Sequence, residues 1–171
     1  YIPLTLTRLQ GGTARTVGIP LTIASLGWSA ASWVQGRRRT GRIGSLQIGF
    51  GLVAAGVALL LVVTRPWASL WLTIPIWTVA GAGIGLVMPL VAVLLLELSP
   101  EEEQGANSAA LQLADMTGSI VGIAAVATLI NGLGVQRLPT AATIGDLLLA
   151  GIALCGAVVA RRVVANPPTV S

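Results

Sequence analysis

The sequence predicts an all-α, polytopic transmembrane helical bundle, and three observations support that fold class. Charged residues make up 9% of the 171 residues, whereas soluble domains carry roughly 25%. The mean hydropathy is +0.86. The apolar residues also form long runs, and a bilayer core of about 30 Å is crossed by about 20 such residues in a helix.

The apolar runs define one partial membrane domain over residues 1–165 and a tail, residues 166–171, that is predicted to be disordered. Residues 1–9 are typical of the end of a span that begins upstream, so we interpret the chain as the C-terminal part of a longer protein. Short polar turns separate the runs that follow. The remaining spans are predicted at about residues 17–36, 43–63, 69–98, 100–130 and 144–164.

The basic residues indicate topology rather than a nucleic-acid partner. All of them are arginine, and the net charge is +4. They do not alternate with aromatic residues on a polar surface, as they do in nucleic-acid-binding proteins. Because cytoplasmic loops carry an excess of basic residues, the stretch RRRTGR at residues 37–42 predicts that this loop and the C-terminus are cytoplasmic.

The composition offers no set of catalytic or metal-binding side chains. The chain has no histidine and a single cysteine, Cys155, which lies within an apolar run. No pair of acids is expected at the membrane midplane. The sequence therefore predicts neither an enzyme nor a metal or cofactor site.

The stretch SPEEEQG predicts the start of a helix at the membrane surface. Ser99 is a favourable N-cap residue, Pro100 suits the first helical position, and Glu102 stands three residues after Ser99 as in a capping box. The three glutamates also lie where the helix dipole favours negative charge.

Asp115 is the strongest functional signal in the sequence. The apolar stretch of this helix starts at about Ala106, and Asp115 lies nine residues further along. Nine residues of helix span about 14 Å, which places Asp115 close to the membrane midplane. A carboxylate there costs at least about 2.5 kcal/mol on insertion scales, so it should face protein or water. Polar and small residues recur with it on one helical face: Ser108, Gln112, Asp115, Ser119 and Gly122.

Two roles fit Asp115. It could bind a proton or act as the counter-ion of a substrate, with Gln112 as a partner one turn away. Alternatively, its carboxyl group could only tie this helix to a neighbour. The sequence leaves both roles open.

Glycine, proline and tryptophan residues give further candidates. Two GxxxG pairs predict close helix packing, Gly81 with Gly85 and Gly118 with Gly122. Pro89, four residues beyond Gly85, could allow a kink of the kind found in transporters. Two tryptophans fall inside spans, Trp28 and Trp77; each could pack against lipid or protein, or line a cavity for an aromatic or cationic substrate.

The order of these features resembles the C-terminal six-helix half of a major facilitator superfamily transporter, and most closely the bacterial fourteen-span drug:proton antiporters. The loop RRRTGR resembles the second, degenerate copy of the superfamily's cytoplasmic motif G-x-x-x-D-R-x-G-R. Arg39, Gly41 and Arg42 match its R-x-G-R end. The motif's aspartate and leading glycine are replaced by Arg38 and Val34, so the charge relay of the first copy is not expected here.

The resemblance implies a proton-coupled carrier of the bacterial cytoplasmic membrane that works by alternating access. Its partners would be the N-terminal half of the same protein, the lipid bilayer, protons and a small organic substrate, and the chain would not transport alone. The span at 69–98 would line the central cavity, while the span at 17–36 and the Asp115 helix would lie between the halves. An uptake permease of the same superfamily and a non-transporting membrane scaffold are the alternatives.

Overall fold

The computed structural model describes Thr7, Gly11 and residues 13–37, 41–63, 69–134 and 138–165. These residues form five long helices and contain no strand, so the predicted all-α fold class is confirmed. All five helices are long and apolar enough to cross a membrane, as expected of a multi-pass membrane protein. The helices are α1 (Ala14–Arg37), α2 (Arg42–Val63), α3 (Thr73–Leu98), α4 (Gln104–Leu133) and α5 (Leu138–Ala165).

The last helix begins earlier than predicted, at Leu138 rather than near residue 144. Pro139 is compatible with this start because the first turn of a helix needs no amide donor. The Thr143 hydroxyl donates a hydrogen bond to the Pro139 carbonyl oxygen at 2.8 Å, within the helix. The earlier start places the residues that were predicted to begin this helix nearly two turns inside it.

The start of α4 also differs from the sequence prediction. Ser99 ends α3 as its C-cap, and its hydroxyl donates to the Leu95 carbonyl oxygen at 2.6 Å. The three glutamates form a separate 3-10 turn, Glu101–Glu103, before α4 begins at Gln104 without a side-chain cap. The capping-box prediction is therefore wrong, because the Ser99 hydroxyl is directed back to the preceding helix.

Helix α3 lies between α1 and α2 and contacts each of them partly through glycines. Gly81 and Gly85 lie against α1, whereas Gly83 lies against α2, where a Cβ atom would be 2.6 Å from the Gly49 carbonyl oxygen. Small residues allow helix backbones to approach closely in a membrane. The three helices therefore form the packed body of the described bundle.

Helix α5 packs on the other side of α2. A Cβ atom at Gly156 would lie 2.7 Å from the Phe50 ring, which shows how close the two helices are. Near its beginning, α5 meets the end of α4, where Val126, Ile130 and Ala141 form a small buried cluster.

Helix α4 is attached to the bundle mainly at its two ends. At its beginning, the Asn107 side-chain amide donates to the Ser99 hydroxyl at 2.9 Å, and that of Gln104 donates to the Leu96 carbonyl oxygen at 3.2 Å. At its end, Val126 and Ile130 are buried. Every residue from 112 to 121 is exposed, so the middle of α4 stands away from the described helices.

Some sequence predictions concern residues outside the described ranges. These are the partial span at residues 1–9, apart from Thr7, the loop residue Arg39 and the tail at residues 166–171.

Candidate functional site between helices α4 and α5

A cavity of about 780 Å³ lies between the middle of α4 and the facing part of α5. It falls within the size range of pockets that hold drug-sized molecules, about 300–1,000 Å³. The α5 wall carries Gly145, Leu148, Leu149 and Ile152. The cavity exists because α4 and α5 touch near their connection and diverge with distance from it.

Among the described residues that line the cavity, Asp115 is the only ionisable one. It lies on the α4 wall with Gly118, Ser119 and Gly122, and it is exposed. An exposed carboxyl group does not tie α4 to another described helix. Both roles that the sequence left open therefore stay predictions, because any neighbour that Asp115 ties to α4 would have to lie outside the described residues.

The polar face of α4 extends beyond the cavity. Gln112 is exposed and lies one turn before Asp115, and Ser108 is half-buried one turn earlier still. Neither residue belongs to the cavity lining. The face therefore carries polar groups from the cavity towards the beginning of α4.

Gly118 and Gly122 do not pack against any described helix. No heavy atom among the described residues lies within 4 Å of the position that a Cβ atom would take at either glycine. Both instead line the cavity. The second GxxxG pair thus offers a smooth, open surface beside Asp115.

Gly81 and Gly85 lie in a different place, at the contact between α1 and α3. A Cβ atom at Gly81 would be 2.7 Å from the Ala24 carbonyl oxygen, and one at Gly85 would meet the Trp28 carbonyl oxygen. The Ser32 hydroxyl donates to the Gly85 carbonyl oxygen at 3.1 Å. Packing therefore accounts for this pair.

Pro89 lies inside α3, and the helix continues unbroken to Leu98. The residues of α3 do not contribute to the cavity between α4 and α5. The cavity-lining role that the family resemblance implies for this helix remains an expectation.

The two tryptophans proposed as cavity residues lie elsewhere. Trp28 is exposed on α1 and its ring borders Gly85. Trp77 packs on the buried cluster of Val17, Leu60, Val63 and Ile76. Neither lines the cavity beside Asp115, so the structure does not bring them together with the acid.

The cytoplasmic loop motif is described only in part. Gly41 has a φ of 78°, in the left-handed region that residues with a side chain rarely adopt, so this position favours glycine. Arg42 begins α2. On the other side of the loop, the Arg37 guanidinium lies 3.7 Å from the centroid of the Trp33 ring, a cation–π contact.

A second acid, which was not predicted as a site residue from the sequence, lies inside a span. Asp146 is 1% exposed and, among the described residues, is one of the two largest side chains that are fully buried. The predicted start near residue 144 would have placed it in the first turn of its helix, where an acid is favourable. With α5 beginning at Leu138, Asp146 lies about two turns inside the helix.

No group of three or more potential metal ligands occurs within the described ranges. Comparisons with known proteins give no relative: no family model, no curated protein and no solved structure matches the chain.

Proposed function

We propose that the chain is part of a proton-coupled secondary active transporter that exports drugs or other small organic solutes by alternating access. The observation that carries this proposal is the exposed Asp115 beside a cavity of drug-like size, in the middle of a helix that can span the membrane. Ionisable residues in such positions commonly mark proton relays and substrate pathways. The same residue can bind a proton or a cationic group, but not both at once, which couples the two.

The surroundings of Asp115 support a second part of the proposal, that further helices of the same protein cover this face of α4. A carboxylate exposed to lipid within a span is unfavourable, and at the centre of a span it costs at least about 2.5 kcal/mol. Gly118 and Gly122 leave room for a helix to approach closely. The N-terminal half of a major facilitator superfamily protein is the partner that we propose.

The proposed location is the bacterial cytoplasmic membrane, with the C-terminus in the cytoplasm. Arginines at both ends of the α1–α2 loop support this orientation, because short cytoplasmic loops are enriched in basic residues.

Transport is tested with the full-length protein in inside-out membrane vesicles whose lumen has been acidified, with ethidium as the probe. We expect ethidium to accumulate in the lumen and to leave when an uncoupler collapses the pH gradient. Ethidium movement in the opposite direction would favour an uptake permease. Failure to move ethidium or any dye in a panel of cationic, neutral and anionic probes would favour a scaffold and would contradict the proposal.

The orientation is tested by cysteine labelling. Cys155 is exposed, so it is first replaced by serine, and a cysteine is then placed at Thr40. We expect a membrane-impermeant maleimide to label this cysteine in inside-out vesicles and not in intact cells. Labelling in intact cells would overturn both the orientation and the assignment of the loop motif.

A further inference from the structure

Asp146 lies inside the membrane part of α5. The span-length apolar segment of α5 is Pro139–Val159, and Asp146 follows its beginning by seven residues, or about 10 Å of helix. The half-thickness of the hydrocarbon core is about 15 Å. Asp146 is therefore well below the surface, and its exposure of 1% shows that it is directed into the protein rather than towards lipid.

Asp115 and Asp146 lie at different depths in the membrane. The contact between Gly145 and Val126 places these two residues at the same level, because a Cβ atom at Gly145 would be 3.3 Å from a Val126 methyl group. Val126 lies eleven residues beyond Asp115 on α4, which corresponds to about 16 Å. Asp146 is therefore nearer the α4–α5 connection, and Asp115 is nearer the opposite surface.

The two acids also differ in their access to the cavity. Asp115 lines it directly, whereas Asp146 is buried next to Gly145, which lines it. Successive residues of a helix point about 100° apart, so Asp146 is adjacent to the cavity wall without opening into it. A rotation of α5 about its axis would bring its carboxyl group towards the cavity.

The described helices that pack against α5 carry few charged groups. The helices packed against α5 are chiefly α2 and α4, and their only ionisable residues are Arg42 and Asp115. The contact between Phe50 and Gly156 fixes how α2 and α5 are aligned. With that alignment, Arg42 at the far end of α2 lies about 27 Å from Asp146 along the helices. Arg65 follows α2 and Arg137 precedes α5 in the sequence, and both lie outside the described residues.

From this placement we propose that Asp146 is a second proton-binding carboxylate, occluded in the conformation described, which takes up a proton from the side of the α4–α5 connection. Its carboxylate gains a proton to form the neutral acid and releases it later in the cycle, and no other bond changes. Asp115 exchanges its proton with the cavity. This inference rests on the proposed function, because it assigns Asp146 a step in the same proton-driven cycle.

The test compares Asp146→Asn with the wild type in two assays that use ethidium and inside-out vesicles. Export driven by the pH gradient should fall by about tenfold or more, because asparagine cannot carry a proton. Exchange of ethidium across the membrane without a pH gradient should stay within about twofold of the wild type, because Asp146 does not line the cavity. Loss of both activities, or of neither, would overturn the proposal.

A spectroscopic measurement separates this inference from the proposed function. Infrared difference spectra of the purified full-length protein, recorded as the pH is changed, should contain a carboxyl band that Asp146→Asn lacks and Asp115→Asn retains. If this carboxyl band is present but the wild type does not transport ethidium, only the proposed function is contradicted. Identical bands in the wild type and Asp146→Asn would overturn the assignment of Asp146.

Two further variants serve as controls. Glu102→Gln removes an exposed acid from the 3-10 turn before α4 and should change neither assay. If Asp146→Asn does not accumulate as folded protein, Asp146→Glu replaces it, because glutamate keeps a titratable carboxyl group. The pH at which export is half-maximal should then shift, and an unchanged value would overturn the proposal.

Discussion

Replacing Asp115 by asparagine should abolish ethidium export driven by a pH gradient, with a reduction of at least about tenfold. Asparagine has nearly the same shape as aspartate but neither binds a proton nor carries a charge. Because Asp115 is exposed beside the cavity and not buried against another described helix, the change should leave the amount of folded protein unaltered. Export from inside-out vesicles and size-exclusion profiles measure the two effects.

Ser119→Ala is the matched control for this variant. Ser119 lines the same cavity on the next turn of α4, but its hydroxyl group does not titrate in the physiological range. Export should therefore keep its dependence on the pH gradient. If ethidium export by Asp115→Asn depended on the pH gradient as strongly as export by the wild type, Asp115 would have no role in coupling.

Replacing Gly85 by alanine should destabilise the protein by about 1–3 kcal/mol, the usual cost of inserting an atom into a well-packed contact. The new methyl group would meet the Trp28 carbonyl oxygen and would lie 3.0 Å from the Ala31 Cβ atom. The carbonyl oxygen belongs to the backbone, so α1 and α3 would have to separate. The hydrogen bond from Ser32 to the Gly85 carbonyl oxygen would be strained as well. Thermal unfolding of the detergent-solubilised protein measures the effect.

Gly51→Ala is the control for the packing prediction. Gly51 lies in the middle of α2, is exposed, and has no described atom within 4 Å of its Cβ position. Alanine there should leave the melting temperature unchanged or raise it slightly, because alanine favours the helical conformation over glycine. Equal melting temperatures for the two variants would show that α1 and α3 do not pack as described.

The sequence was sufficient to predict the fold class because the membrane imposes simple rules. A span needs about 20 apolar residues with few charges, and those runs are plain in the chain. The pairing of helices was not predictable in the same way. Gly81, Gly83 and Gly85 occur within five residues, yet only the structure shows that the first and third contact α1 and the second contacts α2.

The start of α4 was predicted incorrectly because its residues satisfy more than one local rule. A serine followed by proline and glutamates fits an N-cap, but the serine hydroxyl can equally donate to a carbonyl oxygen of the preceding helix. The bond from Ser99 to Leu95 is of the second kind. Local sequence alone does not decide between them.

The two acids illustrate what the sequence could and could not reveal about the site. Asp115 stood out because it interrupts a long apolar run, but its position beside a cavity depends on how far α4 stands from α5. Asp146 was missed because its significance depends on the position of the helix start. A start at Leu138 moves it from a favourable first turn to a buried site within the span.

The central claim is that Asp115 couples proton movement to substrate movement. It is tested most directly with the full-length protein in liposomes that contain the pH indicator pyranine, with an ethidium gradient and no initial pH gradient. We predict that ethidium movement drives protons in the opposite direction in the wild type and not in Asp115→Asn. Ethidium movement in the wild type without a change of internal pH, or the same change in both proteins, would contradict the claim.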